Sequence, residues 1–194
     1  MKAVKKPPVM KDSNRHAPHF HGDPERLRAP DRVALLEVER VVALSIKNLA
    51  ARSLLDVGTG TGVFAEAFCE LVPVVIGLDA CAELLAVARG IVSKARFLKA
   101  RAEHIPFADH SFDVVFLGHV LHELDHPLRV LKEVRRVVRG RVVVLEWPHE
   151  AQEQGPPLER RLSPEAIKKL AGKAGFGLEE GGRLAHMALY RLTP

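Results

Sequence analysis

Aromatic residues make up only 5% of the 194-residue chain: eight Phe, one Trp and one Tyr. That scarcity leaves few platforms on which nucleobases stack. Cysteine is scarcer still. Cys69 and Cys81 are the only two, at a spacing that fits neither a metal site nor a redox pair. Both read as small apolar side chains, so a disulfide framework is excluded. No apolar run approaches the ~20 residues that span a bilayer. The N-terminus carries charge and proline where a signal sequence would be apolar, so the expected compartment is the cytoplasm. Neither sign of charge dominates: 29 Lys and Arg stand against 24 Asp and Glu, a net charge of +5. Lys2, Lys5, Lys6, Lys11 and Arg15 crowd the start of the chain, so the remainder is closer to neutral. This balance permits an acidic partner without demanding one. Hydrophobic residues, at 47%, are plentiful enough for a real core, and the length fits one domain.

Residues 1–30 are rich in Lys, Pro and His, with His16, His19 and His21 close together, and read as a flexible arm before a domain spanning 31–194. From Asp31 the spacing of Leu35, Val38, Val42, Ile46 and Leu49 predicts one amphipathic helix. Apolar runs then alternate with amphipathic stretches. Strands are predicted at Ser53–Val57, Val74–Leu78, Arg96–Lys99, Asp113–Leu117 and Arg141–Trp147, with helices over Thr61–Leu71, from Cys81 to Gly90, and from Pro127 to Val138. Ser163-Pro164-Glu165 is a helix start, with Ser as cap and Pro at the first position. Phe176–Glu179 and Leu184–Arg191 read as closing strands, and Glu150–Leu162 as one long polar loop. Such alternation predicts an α/β fold: a single doubly wound, mostly parallel seven-stranded sheet, Rossmann-like, with helices on both faces and an antiparallel final strand.

The strongest chemical signal is Asp56-Val57-Gly58-Thr59-Gly60-Thr61-Gly62, where a buried strand ends in an acid and three alternating glycines lead into a helix. Glycine there lets a ligand approach the backbone and meet free N–H groups at a helix start. A dinucleotide fingerprint would need a glycine where Val63 stands, and a phosphate-binding Gly-Lys-Ser/Thr is absent. Asp79 ends the second strand about twenty residues on, the position from which a carboxylate accepts from both hydroxyls of a ribose.

These segments resemble the class I S-adenosylmethionine-dependent methyltransferases, in particular the small-molecule branch of the ubiquinone/menaquinone-biosynthesis type. The resemblance covers residues 30–192 and extends to Ala102-Glu103-His104-Ile105-Pro106-Phe107, Ser111–Val115, His119–Leu124, Gly155-Pro156-Pro157 and Arg161-Leu162-Ser163. It implies S-adenosylmethionine as cofactor. By resemblance, Asp56, Gly58, Thr59, Gly60 and Gly62 hold its methionine part, Asp79 and Ala80 its ribose, Ala102 and Glu103 its adenine, and Gly118 and His119 border it after strand four. The family usually has an acid where Arg101 stands. Arginine cannot accept a hydrogen bond, which leaves adenine to backbone carbonyls, Glu103 or apolar packing. Val138-Arg139-Gly140-Arg141 is read as a shortened turn before strand five.

His119, His122 and His126 recur at steps of three and four, so one helical face would present them together, although Pro127 interrupts that face. The spacing does not match zinc-protease helices, and no metal is expected. Glu146 and Trp147 end the fifth strand at the rim of the same pocket. The implied reaction is displacement at a sulfonium methyl, with alignment supplied by the protein. His119, His122 and Glu146 are the candidates for a general base if the acceptor must lose a proton. The expected acceptor is a small molecule. The rivals are an RNA methyltransferase and a non-catalytic S-adenosylmethionine-binding protein. The Asp/Asn-Pro-Pro-Tyr/Phe signature of nucleobase amino methylation is absent.

Overall fold

Leu54, Leu55 and Val57, then Val114 to Leu117, then Val142 to Leu145 are runs apolar on both strand faces, and such strands must be covered on both sides. The computed structural model, which describes residues 23–194, meets this demand with one seven-stranded sheet. Its strands are β1 (Ser53–Val57), β2 (Val74–Asp79), β3 (Arg96–Lys99), β4 (Phe112–Gly118), β5 (Val138–Glu146), β6 (Gly177–Arg183) and β7 (Ala188–Thr193). They lie in the order β3-β2-β1-β4-β5-β7-β6. All pairings from β3 to β5 are parallel, and β7 runs antiparallel to both β5 and β6.

The helices are α1 (Pro24–Leu27), α2 (Pro30–Leu35), α3 (Val38–Ile46), α4 (Val63–Phe68), α5 (Ala82–Ile91), α6 (Pro127–Val137) and α7 (Pro164–Lys173). Alternation along the strands divides the core in two. Leu55, Val57, Val115 and Leu117 pack with α6 and α7, whereas Leu54, Val114, Phe116 and Val143 pack with α3 and α4. Ser163 caps α7 as expected, its hydroxyl accepting from the Ala166 N–H at 3.1 Å.

Three expectations change. The helix predicted from Asp31 is two helices, because Glu37 takes a left-handed conformation (φ 45°) between α2 and α3. Its carboxylate accepts from the Ala185 N–H and from Arg40, so a tertiary tie outweighs helical periodicity. The helix predicted over Thr61–Leu71 is confined to α4, since Gly62 is left-handed (φ 80°) at its N-cap. No turn separates α6 from strand five: β5 begins at Val138 and its register shifts between Phe112 and Val114. Gly140 permits this, because a Cβ there would lie 2.5 Å from the Asp113 carbonyl oxygen.

Of the expected arm, residues 1–22, with His16, His19 and His21, lie outside the described residues. Its last part is ordered: Asp23 caps α1, and Arg28 donates to the Thr61 carbonyl at 2.8 and 3.1 Å and to Glu66 at 2.8 Å. Among the described residues, no helix is long and apolar enough to cross a membrane.

Candidate active site

Strand order reverses between β1 and β4, and ligands of open α/β sheets bind at such a point, beyond the carboxyl ends of the strands. A cavity of about 370 Å³ opens there, within the usual size range of small-molecule sites. Its floor is the glycine loop after β1. The N–H groups of Gly58 and Thr59 donate to the Leu78 carbonyl at 2.7 and 3.1 Å, which fastens the loop to β2. Gly58 has φ 71°, and a Cβ on it would sit 2.3 Å from Val120 Cγ2, so only glycine fits. Glycine at 58 and 60 leaves the loop backbone bare at those two positions of the cavity lining.

Asp79 ends β2 with both oxygens oriented: Oδ2 accepts from the Gly60 N–H and Oδ1 from the Cys81 N–H, each at 2.8 Å. Each oxygen keeps a second lone pair, a geometry suited to a vicinal diol. Asp56 is buried beneath the loop and accepts from the Thr59 hydroxyl at 2.6 Å. Burial pushes its carboxyl up to about 7, with the Thr59 hydrogen bond opposing and the charge of Asp79 adding to the rise. Burial likewise raises Asp79, against the pull of its backbone donors.

The predicted cofactor residues Asp56, Gly58, Thr59, Gly60, Asp79, Ala80, Ala102, Glu103, Gly118 and His119 all line this cavity. Gly62 does not. It starts α4, where an added Cβ would meet Phe97 and Ala88 at 3.2 and 3.3 Å. Arg101 also lines the cavity and pairs with Glu103 at 3.2 Å; burial raises that carboxyl, but a backbone hydrogen bond and then Arg101 outweigh it and hold it below its ordinary range.

The three candidate bases have separate fates. No helix runs through 119–126, so the histidines share no helical face: His119 is left-handed (φ 59°), His122 lies in a 3₁₀ turn over Leu121–Glu123, and His126 precedes α6. Of the three, only His119 faces the cavity. Both its ring nitrogens are buried without a hydrogen-bond partner among the described residues, and its ring packs 5.3 Å from that of Trp147. Burial, with the charge of Arg32, drives it down to about 3, so the ring is a neutral imidazole. A left-handed non-glycine residue carries strain, which often marks a functional position.

Glu146 is buried away from the cavity. Its Oε1 accepts from the N–H of Leu121 at 2.8 Å and its Oε2 meets His122 Nδ1 at 2.6 Å, so it fixes the turn after β4. Burial disfavours the His122 cation, but the Glu146 hydrogen bond and the charges of Glu146 and Glu123 outweigh it and raise the ring. These two residues support the wall rather than meet a ligand. Trp147 is likewise not a rim residue. It is covered by Gly155 of the 148–161 loop and by the Arg161 guanidinium, 5.4 Å away.

The sequence reading missed the roof. Leu27, Arg32 and Leu36, from α1, α2 and the segment after α2, close the cavity, and Glu123, Leu124 and Asp125 complete its wall. Asp23-Pro24 and Pro30 were available helix-start signals, but the short helices gave no periodicity to accompany them.

Residues 55–145 match the methyltransferase domain family. A curated Bacillus subtilis methyltransferase, YcgJ, is 34% identical over 115 residues, which cover 54% of this chain and 46% of that protein. A demethylmenaquinone methyltransferase of Renibacterium salmoninarum is 31% identical over 112 residues, covering 57% of this chain and 47% of that one. The chain thus spans about half the length of the curated relatives it matches. In fold it is similar to a crystal structure of a SAM-dependent methyltransferase from Aquifex aeolicus, with TM-score 0.79 and 24% identity, over 88% of this chain and 98% of that one. The similarity to the methyltransferase domain family thus runs from within β1 to within β5, across the strand ends that border the cavity.

Proposed function

We propose that this protein transfers the methyl group of S-adenosylmethionine to a small-molecule acceptor. The observation that carries the reading is the juxtaposition of a side-chain-free loop at Gly58 and Gly60 with an Asp79 carboxylate already oriented by two backbone N–H groups. These residues fit the cofactor. Thr59 and Gly60 with Asp56 would hold its amino-acid arm, Asp79 and Ala80 its ribose, and Ala102 and Glu103 its adenine. Gly118 and His119 would border the sulfur. When bound, the cofactor supplies an activated methyl group, and sulfur is the leaving atom.

The protein's part is to orient and to exclude water. His119 borders the cavity as a neutral imidazole whose low proton affinity makes it a poor base, so in this reading it positions the acceptor rather than taking its proton. Glu146 and His122 act behind it, holding the turn after β4. In this reading residues 31–194 form the methyltransferase domain, and residues 1–30 form an arm whose last part, α1, closes the cavity. The small-molecule class is supported by the demethylmenaquinone methyltransferase relative. The unpaired Cys69 and Cys81 are consistent with a cytoplasmic location.

Calorimetric titration with S-adenosylhomocysteine, for the native chain and an Asp79→Ala variant, tests the cofactor assignment. Micromolar binding that the variant loses is expected. A native chain that binds neither S-adenosylhomocysteine nor S-adenosylmethionine overturns it. Transfer of labelled methyl to phenols, amines and quinols, set against transfer to RNA, then tests the acceptor class.

A further inference from the structure

Behind the cavity wall that follows β4, polar side chains form a continuous chain. Glu146 Oε2 meets His122 Nδ1 at 2.6 Å, His122 Nε2 meets Glu123 Oε1 at 3.1 Å, and Glu123 Oε2 accepts from Arg160 at 2.9 Å. Its two ends differ in setting. Glu146 and His122 are almost fully buried, whereas Glu123 lines the cavity and Arg160 lies half-exposed in a 3₁₀ turn over Leu158–Arg160.

A neutral imidazole carries one ring proton. With Nδ1 at 2.6 Å from a carboxylate oxygen, Nδ1 is the nitrogen that holds it. Nε2 is then a bare lone pair facing Glu123 Oε1, another acceptor. Two acceptors at hydrogen-bond distance lack a proton between them, and the next proton to arrive satisfies both. The titration of His122 runs in the same direction. Burial disfavours its cation, and so does the charge of Arg160, but Glu146 and Glu123 outweigh them and raise the ring. The groups facing this imidazole are thus Glu146 from β5, Glu123 from its own turn, Arg160 from the loop and His119 from the end of β4. Other acids of the cavity have different partners: Asp56 a hydroxyl, Asp79 two backbone N–H groups and Glu103 a guanidinium.

We propose that Glu123 takes the proton of the methyl acceptor and passes it to His122. The inference rests on the methyl-transfer reading above and narrows the acceptor to a compound with a weakly acidic O–H, because an amine already offers a lone pair. As the acceptor oxygen gains the methyl group, its O–H bond breaks, the bonding pair stays on oxygen, and the proton moves to a lone pair of Glu123. That new O–H bond breaks in turn as the proton binds His122 Nε2. The positive charge lost by the methyl donor reappears on His122, where the Glu146 and Glu123 carboxylates flank it. Glu123 is the catalytic residue of this step. His122, Glu146 and Arg160 act through it, Arg160 by holding Oε2 so that Oε1 faces the ring.

Two measurements test this. The first needs no acceptor: heteronuclear magnetic resonance of the full chain gives the tautomer and titration of His122. The neutral ring should carry its proton on Nδ1, and Glu123→Gln, whose amide can donate to Nε2, should lower the titration. A neutral ring protonated on Nε2, or a titration unmoved by Glu123→Gln, overturns the proposal. The second measurement follows labelled methyl transfer from S-adenosylmethionine to phenol and to para-nitrophenol, which ionises on its own near neutral pH. Native transfer to phenol should rise with pH through the His122 titration. Glu146→Gln, which lowers that titration, should move the limb to lower pH. Glu123→Gln should slow transfer to phenol about 10²–10⁴-fold, the scale of general-base catalysis, with a loss at least ~10-fold smaller for para-nitrophenol. Equal losses for the two phenols, or a limb that stays in place in Glu146→Gln, overturn the proposal. Calorimetric titration with S-adenosylhomocysteine separates the two readings. A native chain that binds it but methylates neither phenol overturns this inference alone. One that binds neither S-adenosylhomocysteine nor S-adenosylmethionine overturns the cofactor reading and this inference together.

Discussion

Asp56 gives the sharpest test of the site because its ionisation is coupled to occupancy. Burial pushes its carboxyl up to about 7. At pH 7 the site then carries close to half a proton there. A cationic amino-acid arm beside Asp56 favours the carboxylate, so binding must release that proton. With the bound group back near its ordinary ~4, release from Asp56 is about 0.9 proton at pH 6, ~0.5 at pH 7 and ~0.1 at pH 8. The same shift works on stability. Because the folded protein binds this proton more tightly than the unfolded chain does, the contribution of Asp56 to stability is greatest below pH ~4. It declines as pH rises through the window up to about 7, by an amount of order 4 kcal/mol. The assay is calorimetry with S-adenosylhomocysteine in two buffers of different ionisation enthalpy at each pH. The difference between the native chain and Asp56→Asn isolates this residue from Asp79, which is also raised. No proton release at pH 6, or equal release by the variant, would refute the placement of the cationic arm beside Asp56.

Four further outcomes follow from the same geometry. Gly58→Ala should cost at least ~1–3 kcal/mol in chemical denaturation and abolish cofactor binding, because the new Cβ meets Val120 Cγ2 at 2.3 Å on a left-handed backbone. Glu146→Ala should destabilise by roughly 3–5 kcal/mol, since it leaves the Leu121 N–H and a buried His122 without their acceptor, whereas Glu146→Gln should retain most of the stability. In the native chain His122 should titrate above its ordinary range by nuclear magnetic resonance, and Glu146→Gln should lower it. Arg161→Ala should expose the 148–161 loop to limited proteolysis, because this buried side chain donates to the carbonyls of Pro148, Glu150, Gln154 and Pro156. The loss should exceed the ~1.5–3 kcal/mol of one charge-assisted hydrogen bond.

What was legible in the sequence follows the range of the forces involved. The glycine loop, Asp79 and the buried strands could be read because each depends on its immediate neighbours: strand burial shows as apolar runs, and a left-handed turn shows as glycine. The break at Glu37 was hidden because it is fixed by the N–H of Ala185, far along the chain. Steps of three and four suggested a helical face for His119, His122 and His126. The tie from Glu146 to Leu121 and His122 instead bends this segment, so His122 supports the wall, His126 is exposed before α6 and His119 faces the cavity.

The same reasoning explains why the roof went unread. Short helices such as α1 and α2 have no periodicity to detect, and Arg28 and Arg32 look like ordinary surface charges until Thr61, Glu66 and the cavity are placed beside them. A polar residue's role is set by what the fold brings to it. Glu146, read as a base, is engaged entirely with the turn after β4, so its conversion to Gln should spare folding. Arg32, unremarkable in sequence, lines the cavity from α2 and among the described residues donates only to the Leu27 carbonyl.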